Sequence, residues 1–221
     1  MGKNKLQRFA ENETFTNLFQ HNEFEAREGL FPLKGKWHTE YFKNEHPIVL
    51  ELGCGKGEYT IGMSQRYSDK NFIGIDRKGA RLWRGCKDAF EQKIPNVAFL
   101  RIKIEDIEHY FAPGEVSEIW VTFPDPQLRK ERKRLVGPNM VGKYKKIFTA
   151  DGILHLKTDS RELYDYLKET APEEGWELLE DVFDVYQERP GTILTEITTF
   201  YETMWLKEGK VISYLKIRVK R

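Results

Sequence analysis

Residues Pro47-Ile48-Val49-Leu50-Glu51-Leu52-Gly53-Cys54-Gly55-Lys56-Gly57 constrain the fold more than any other stretch of the chain. An apolar run of strand length breaks there into a G-x-G-x-G turn and then into a helical pattern. Such a run is a buried strand whose glycines let the backbone come close to a ligand. In an open α/β sheet, ligands bind at the carboxyl ends of strands. The ligand is narrowed by what the turn lacks. A dinucleotide fingerprint G-x-G-x-x-G counted from Gly53 needs a glycine at position 58, where the chain has Glu58. A carboxylate in the first helical turn repels a pyrophosphate seated on that helix N-terminus. The phosphate-loop pattern G-x-x-x-x-G-K-[ST] is also absent from this loop, which argues against ATP or GTP. Asp76 ends an expected second strand, Asn71 to Ile75, about twenty residues after the turn, where an acid suits ribose hydroxyls. A nucleoside without phosphates fits best, and S-adenosylmethionine is one. A modified dinucleotide and a purely structural turn are the alternatives that spacing leaves open.

The 221 residues are enough for a full α/β core in one large domain with an appended segment. No apolar run approaches the roughly 20 residues a membrane span requires, and the N-terminus carries no signal-peptide pattern. Two cysteines, Cys54 in the glycine turn and Cys86 in an expected helix, supply neither a disulfide framework nor a metal cluster. A reducing, cytoplasmic setting is expected. The 36 basic and 35 acidic residues nearly cancel, so any nucleic-acid surface must come from local clustering.

Residues 1–46 read as a polar arm, basic at its start (Lys3, Lys5, Arg8), with possible short helices around Asn12 to His21. In it, Gly35-Lys36-Trp37 reads best as a tryptophan packing the arm onto the domain. Residues 47–221 alternate strand and helix patterns, the signature of a parallel sheet covered on both faces. The expected order is strand Ile48–Leu52, helix Glu58 to Tyr67, strand Asn71–Ile75, and helix Lys78 to Lys93. Gly79, Trp83, Cys86 and Phe90 form the core face of that second helix. Strand Val97 to Ile102, a short helix from Glu105 to Tyr110, and a turn at Pro113-Gly114 follow. Later elements are strand Glu118 to Phe123, helix Pro138 to Phe148, strand Ile153 to Lys157, and a helix through Tyr164 to Lys168 capped by Asp159 or Ser160. Strand Trp176 to Tyr186, a Pro190-Gly191 loop, a short helix opened by Thr199-Phe200-Tyr201-Glu202, and strand Val211 to Val219 complete the chain. Thr199 and Glu202 stand at capping-box spacing, a sufficient structural reason for both.

A second informative stretch is Phe123-Pro124-Asp125-Pro126. Each proline fixes its own backbone and biases the preceding residue towards extended geometry, so Asp125 is held rigidly at a strand's carboxyl end. That placement suits a catalytic or recognition carboxylate, and an Asp capping a turn is the plain alternative. Arg129-Lys130-Glu131-Arg132-Lys133-Arg134 follows, with five cations in six residues. A charged run is commonly a solvated face; beside a ligand-binding edge it is placed to hold phosphates.

Taken together and in order, Gly35-Lys36-Trp37, the Glu51 to Gly57 turn, Gly74-Ile75-Asp76, Phe123 to Pro126, Lys157-Thr158-Asp159 and Thr199-x-Tyr201-Glu202 resemble one family, the bacterial tRNA (guanine-N7-)-methyltransferases. The likeness runs almost the whole length. It implies a Rossmann-like α/β methyltransferase fold, a mixed seven-stranded sheet with helices on both faces, the last strand antiparallel. It also implies methylation of N7 of a guanosine in the tRNA variable loop, tRNA position 46, with S-adenosylmethionine as donor and tRNA as partner. By this resemblance Glu51, Gly53, Gly55 and Asp76 belong to the donor site, and Asp125 is the acid at the junction of donor and guanine. Arg129, Asp159, Thr199, Phe200, Tyr201 and Glu202 resemble substrate-site positions, with Lys130, Arg132, Lys133 and Arg134 on the tRNA backbone. The chain departs from the family's usual pattern twice. Lys103, with Glu105 two residues on, stands where an acid or amide usually faces the adenine. Gln127-Leu128 stand where a tryptophan and a longer basic segment usually follow.

Guanine N7 already offers a lone pair, so no base is needed and orientation is the main lever. Methylation makes the purine cationic, and a fixed carboxylate at Asp125 would stabilise that growing charge. Rival readings are fewer. An exocyclic-amine methyltransferase shows Asn/Asp-Pro-Pro-aromatic after its fourth strand, whereas this chain has Phe-Pro-Asp-Pro. A C5 reaction needs a cysteine nucleophile, and neither cysteine is near that loop. A methyltransferase for another RNA base, and a tRNA-binding protein that retains the donor site only structurally, are the remaining alternatives.

Overall fold

A computed structural model describes residues 3–221. Met1 and Gly2 of the expected arm lie outside the described residues, and Lys3 is described by its backbone alone. The chain divides into two compact units, Met1–Ala112 and Pro113–Arg221.

Unit 1 runs α1 (Lys3–Asn12), β1 (Leu18–Phe19), α2 (Glu23–Arg27), β2 (Ile48–Leu52), α3 (Glu58–Arg66), β3 (Asn71–Ile75), α4 (Gly79–Glu91) and β4 (Val97–Leu100). Its strands are all parallel, in the order β1-β4-β3-β2. Every residue of β2, β3 and β4 is buried, as expected of parallel strands covered on both faces. The core face of α4 differs from the expected one. Gly79, Leu82, Gly85, Cys86 and Ala89 are buried, whereas Trp83 is half-buried and Phe90 is exposed. The reason is the N-terminal segment, which folds along α4. Asn12 and Asn17 donate to the carbonyls of Gly79 and Cys86, both at 3.0 Å. Phe15 meets Phe90 at 5.6 Å between ring centres, Trp83 donates to Glu11, and the Arg8 guanidinium lies 4.7 Å over the Trp83 ring. Trp37 fits the packing role expected of it: it is fully buried, donates to the Tyr110 carbonyl at 3.2 Å, and stacks on Phe111.

Unit 2 runs β5 (Val116–Thr122), α5 (Pro138–Ile147), β6 (Phe148–Thr158), α6 (Arg161–Glu173), β7 (Glu177–Val182), α7 (Val185–Glu188), α8 (Ile193–Glu196), α9 (Phe200–Lys207) and β8 (Ser213–Lys220). Its strand order is β5-β6-β8-β7, with β5 and β6 parallel and β8 antiparallel to both its neighbours. Eight strands are thus present among the described residues against seven expected. The added one, β1, is two residues long, too short for any alternation to register. The strand expected from Trp176 to Tyr186 stops at Val182, because Asp184 accepts from the Tyr186 and Gln187 N–H groups at 3.0 and 3.2 Å and starts α7. Ser160 caps α6 through the Leu163 N–H at 3.2 Å, one of the two caps expected there. Among the described residues, no helix is long and apolar enough to cross a membrane.

Candidate active site

The glycine turn forms because β2 ends against β3 and the chain reverses at once. Gly53 and Cys54 both donate to the Ile75 carbonyl, at 2.8 and 3.0 Å. Gly57 has φ of +74°, and a Cβ there would sit 2.6 Å from the Phe99 ring. A Cβ on Gly85 of α4 would likewise lie 2.6 Å from the Lys56 carbonyl. Two glycines therefore let α4 press directly on the turn, which a larger residue at either position would push away. Gly85 was not singled out from sequence, although a mid-helix glycine costs ~1 kcal/mol against alanine and so signals a close approach.

Both acids of the turn are held by backbone. Asp76 accepts from the Gly55 N–H through Oδ2 at 3.0 Å and from the Lys78 N–H through Oδ1 at 2.7 Å. It thus braces the turn from the end of β3, while each carboxylate oxygen keeps a second lone pair for a ligand hydroxyl. Glu51 is 2% exposed and accepts from the Thr60 N–H at 2.8 Å and from the Thr60 hydroxyl, in the first turn of α3. Lys103 lies at the end of the stretch after β4 and pairs with Glu23 at 2.5 Å. It lines a polar cleft of about 390 Å³ with Gln20, Arg77 and Arg101. Burial, reinforced by the Glu51 and Asp76 carboxylates, pushes the Cys54 thiol well above its usual range, so it is not a thiolate nucleophile at neutral pH.

The turn suits S-adenosylmethionine better than a phosphate ligand. Its residues pair an acid-braced glycine backbone with Glu58 in the first turn of α3, a setting that favours a ribose and a cationic sulfonium over an anion. Among the described residues no group of His, Cys, Asp and Glu is arranged to hold a metal ion.

In unit 2, β5 ends in a strained loop. Phe123 and Gln127, neither of them glycine, both have φ of +49°, a conformation that costs ~1–3 kcal/mol each and persists only where the surroundings impose it. Here the surroundings are visible. The Phe123 N–H donates to the Lys157 carbonyl at 2.8 Å, and the Pro126 carbonyl accepts from Arg134 Nε at 3.1 Å. Between them Asp125 is exposed. Its Oδ1 accepts from the Gln127 N–H at 3.0 Å, and its Oδ2 accepts no hydrogen bond among the described residues. The turn-capping and recognition readings of Asp125 are therefore compatible, one oxygen serving each.

The basic run splits. Arg129, Lys130, Arg132 and Lys133 are exposed and enter no ion pair among the described residues. Arg134, expected with them on the tRNA backbone, is instead 3% exposed. It pairs with Glu162 at 2.8 Å, holds Pro126, and stacks over Tyr166 at 4.2 Å. Its charge is consumed in fastening the Asp125 loop to α6, so it presents nothing to a phosphate.

The segment from Thr199 divides in the same way. Thr199 and Glu202 complete the capping box of α9, leaving Phe200 and Tyr201 exposed with their rings 5.6 Å apart, edge to face. Glu202, expected at the substrate, is fully buried. It pairs with Lys157 at 2.6 Å and accepts from the Tyr186 hydroxyl at 2.9 Å. Burial and the Glu202 charge push the Tyr186 hydroxyl pKa above its ordinary value. Asp159 is partly exposed and pairs with Lys210 at 3.0 Å. In the sequence Lys157 stands only as part of the Lys157-Thr158-Asp159 motif, with no role of its own; its pairing with Glu202 shows only in the fold.

The sequence profile of a family described as "Putative methyltransferase" matches residues 45–215. A curated protein of Christiangramia forsetii named tRNA (guanine-N(7)-)-methyltransferase is 51% identical over 99% of both chains. One of the same name from Bacteroides fragilis is 45% identical over 98% of this chain and 86% of its own length. Another from Lactococcus lactis is 34% identical over 84% of this chain and 85% of its own. Among solved structures, the 16S rRNA methyltransferase KamB superimposes with a TM-score of 0.64 at 14% identity, covering 92% of this chain and 96% of that one. A SAM-dependent methyltransferase from Aquifex aeolicus gives a TM-score of 0.56 at 13% identity over 90% of this chain and all of that one. These two show the fold, that of the Rossmann-like methyltransferases. With relatives of one name at 34 to 51% identity across most of its length, the chain belongs to the tRNA (guanine-N(7)-)-methyltransferase family.

Proposed function

We propose that this protein transfers the methyl group of S-adenosylmethionine to N7 of a guanosine in the tRNA variable loop. S-adenosylmethionine, when bound, supplies an electrophilic methyl on a sulfonium. The chain's residues do the rest by orientation and charge. Gly53 and Gly55 present backbone to the donor, and Asp76 accepts from its ribose while keeping the turn in place. Glu51 acts from inside the unit, holding the first turn of α3. Asp125 accepts from the guanine N1 and N2 protons through its unengaged Oδ2, and so stabilises the positive charge that grows on the purine as the N7–methyl bond forms. N7 carries no proton to remove, so positioning rather than base catalysis limits the rate. Phe200 and Tyr201 offer exposed rings to a base or ribose, and Asp159 and Thr199 hold the guanosine or its ribose. Arg129, Lys130, Arg132 and Lys133 take tRNA phosphates. Residues 47–221 carry this chemistry and residues 3–46 buttress it through α1 and α4. The free, buried thiols and a tRNA substrate accord with a cytoplasmic setting.

The observation that carries the reading is Asp125: exposed, fixed by one oxygen, and set between two residues in left-handed backbone. A chemical test locates the product. Unmodified tRNA is incubated with enzyme and donor, reduced with borohydride and treated with aniline, which cleaves RNA at N7-methylguanosine. Scission in the variable loop supports the reading. Methyl incorporation without scission, or scission elsewhere, contradicts it.

A further inference from the structure

Lys157 and Glu202 are both fully buried, 2.6 Å apart. Taking both ions out of water is costly, and apolar residues of similar volume in place of a buried pair are often neutral or stabilising. Stability is therefore a weak reason for this pair. Its connections supply a better one. The Lys157 main-chain carbonyl takes the Phe123 N–H at 2.8 Å, and its ammonium stands 5.7 Å from the centre of the Phe123 ring. The same ammonium donates to the Ile197 carbonyl at 3.3 Å, in the approach to α9. Glu202 accepts from the Thr199 N–H at 3.4 Å, and the Thr199 hydroxyl accepts from the Glu202 N–H at 3.2 Å. The Tyr186 hydroxyl completes the set. One residue at the end of β6 thus ties down both the loop that carries Asp125 and the turn that presents Phe200 and Tyr201. An apolar substitute keeps the main-chain bond to Phe123 but loses the ammonium over its ring, and Ile197, Thr199 and Tyr186 would each lose a partner.

We propose that Lys157, acting through Glu202 and Phe123, is a positioning residue for the acceptor guanosine, although it touches neither guanosine nor donor. The inference rests on the methyl-transfer reading above and assigns Glu202 to the support of the site rather than to contact with substrate.

The test is the double variant Lys157→Met with Glu202→Leu, which keeps the site filled and removes both charges together. Thermal midpoint, donor affinity by titration, and steady-state transfer to unmodified tRNA are measured beside wild type. A displacement of about 1 Å costs ~100-fold in rate, so kcat falls by about that factor while the fold and the donor affinity hold. A kcat fall of at least about tenfold with donor affinity intact supports the inference. A smaller fall, or an equal loss of donor affinity, overturns it. If the double variant does not fold, Tyr186→Phe decides, since it removes only the hydroxyl that Glu202 accepts. Lower kcat at unchanged donor affinity then supports the inference, and wild-type kcat overturns it. Absence of transfer by the wild-type enzyme itself would sink the methyl-transfer reading, a result distinct from an active double variant, which sinks only the positioning role.

Discussion

The glycine turn of unit 1 and the Asp125 loop of unit 2 both follow the carboxyl end of a strand, yet they are held in opposite ways. In the turn, the acids themselves are the braces: Asp76 takes two backbone N–H groups and Glu51 takes Thr60. In the loop, the bracing comes from behind, from the Lys157 main-chain carbonyl and the buried Arg134 guanidinium, and the acid is left exposed. On the proposed function these acids serve both fold and ligand, so the turn loses both when an acid is removed. A loop braced from behind can lose its acid and keep its shape. Binding and support are therefore separable in unit 2 and fused in unit 1.

That contrast can be broken by substitution. Asp125→Ala has the largest expected effect: transfer falls by ~1,000-fold or more, since it removes the group placed against developing charge, while donor affinity and thermal midpoint stay near wild type. Near wild-type turnover would remove Asp125 from the chemistry. Asp76→Ala comes next, and should weaken donor binding and stability together. Two N–H groups lose their acceptor, each worth ~1–3 kcal/mol where buried. A variant that loses donor affinity with no change in midpoint would show that the acid is not a brace. The smallest effects separate the basic run. Arg129→Ala or Lys133→Ala should lower tRNA affinity modestly and reduce the salt dependence of binding by roughly one phosphate contact. Arg134→Met should leave the salt slope unchanged and lower the midpoint instead. An Arg134 variant with a reduced slope would return that residue to the tRNA surface.

The parts legible from sequence were those whose constraints are local. β2, β3 and the turn between β2 and α3 were readable because a mostly apolar run, three glycines and a terminal acid occur within one segment. The capping box and the prolines were equally local, Thr199 with Glu202 and Pro124 with Pro126. What was not legible depends on long-range contacts. Trp83 and Phe90 fit a core face of α4 by spacing alone, and only the N-terminal segment, folded along that helix, assigns them to a different seam. Arg134 is the same residue type as Arg129 and Arg132 in the run, and only Glu162, Tyr166 and the Pro126 carbonyl draw it inward. Lys157 and Glu202 lie in separate motifs, and nothing in periodicity pairs them. Burial decides whether a charged residue contacts a ligand or supports the residue that does, and a single sequence shows burial only where it is periodic.

The central claim is that the acceptor atom is guanine N7. Labelled S-adenosylmethionine is supplied with unmodified tRNA and, separately, with the same tRNA made with 7-deazaguanosine, which replaces N7 by carbon and leaves the N1 and N2 protons in place. Transfer to the first and none to the second is the expected result. Equal labelling of both would contradict it and move the acceptor to another atom.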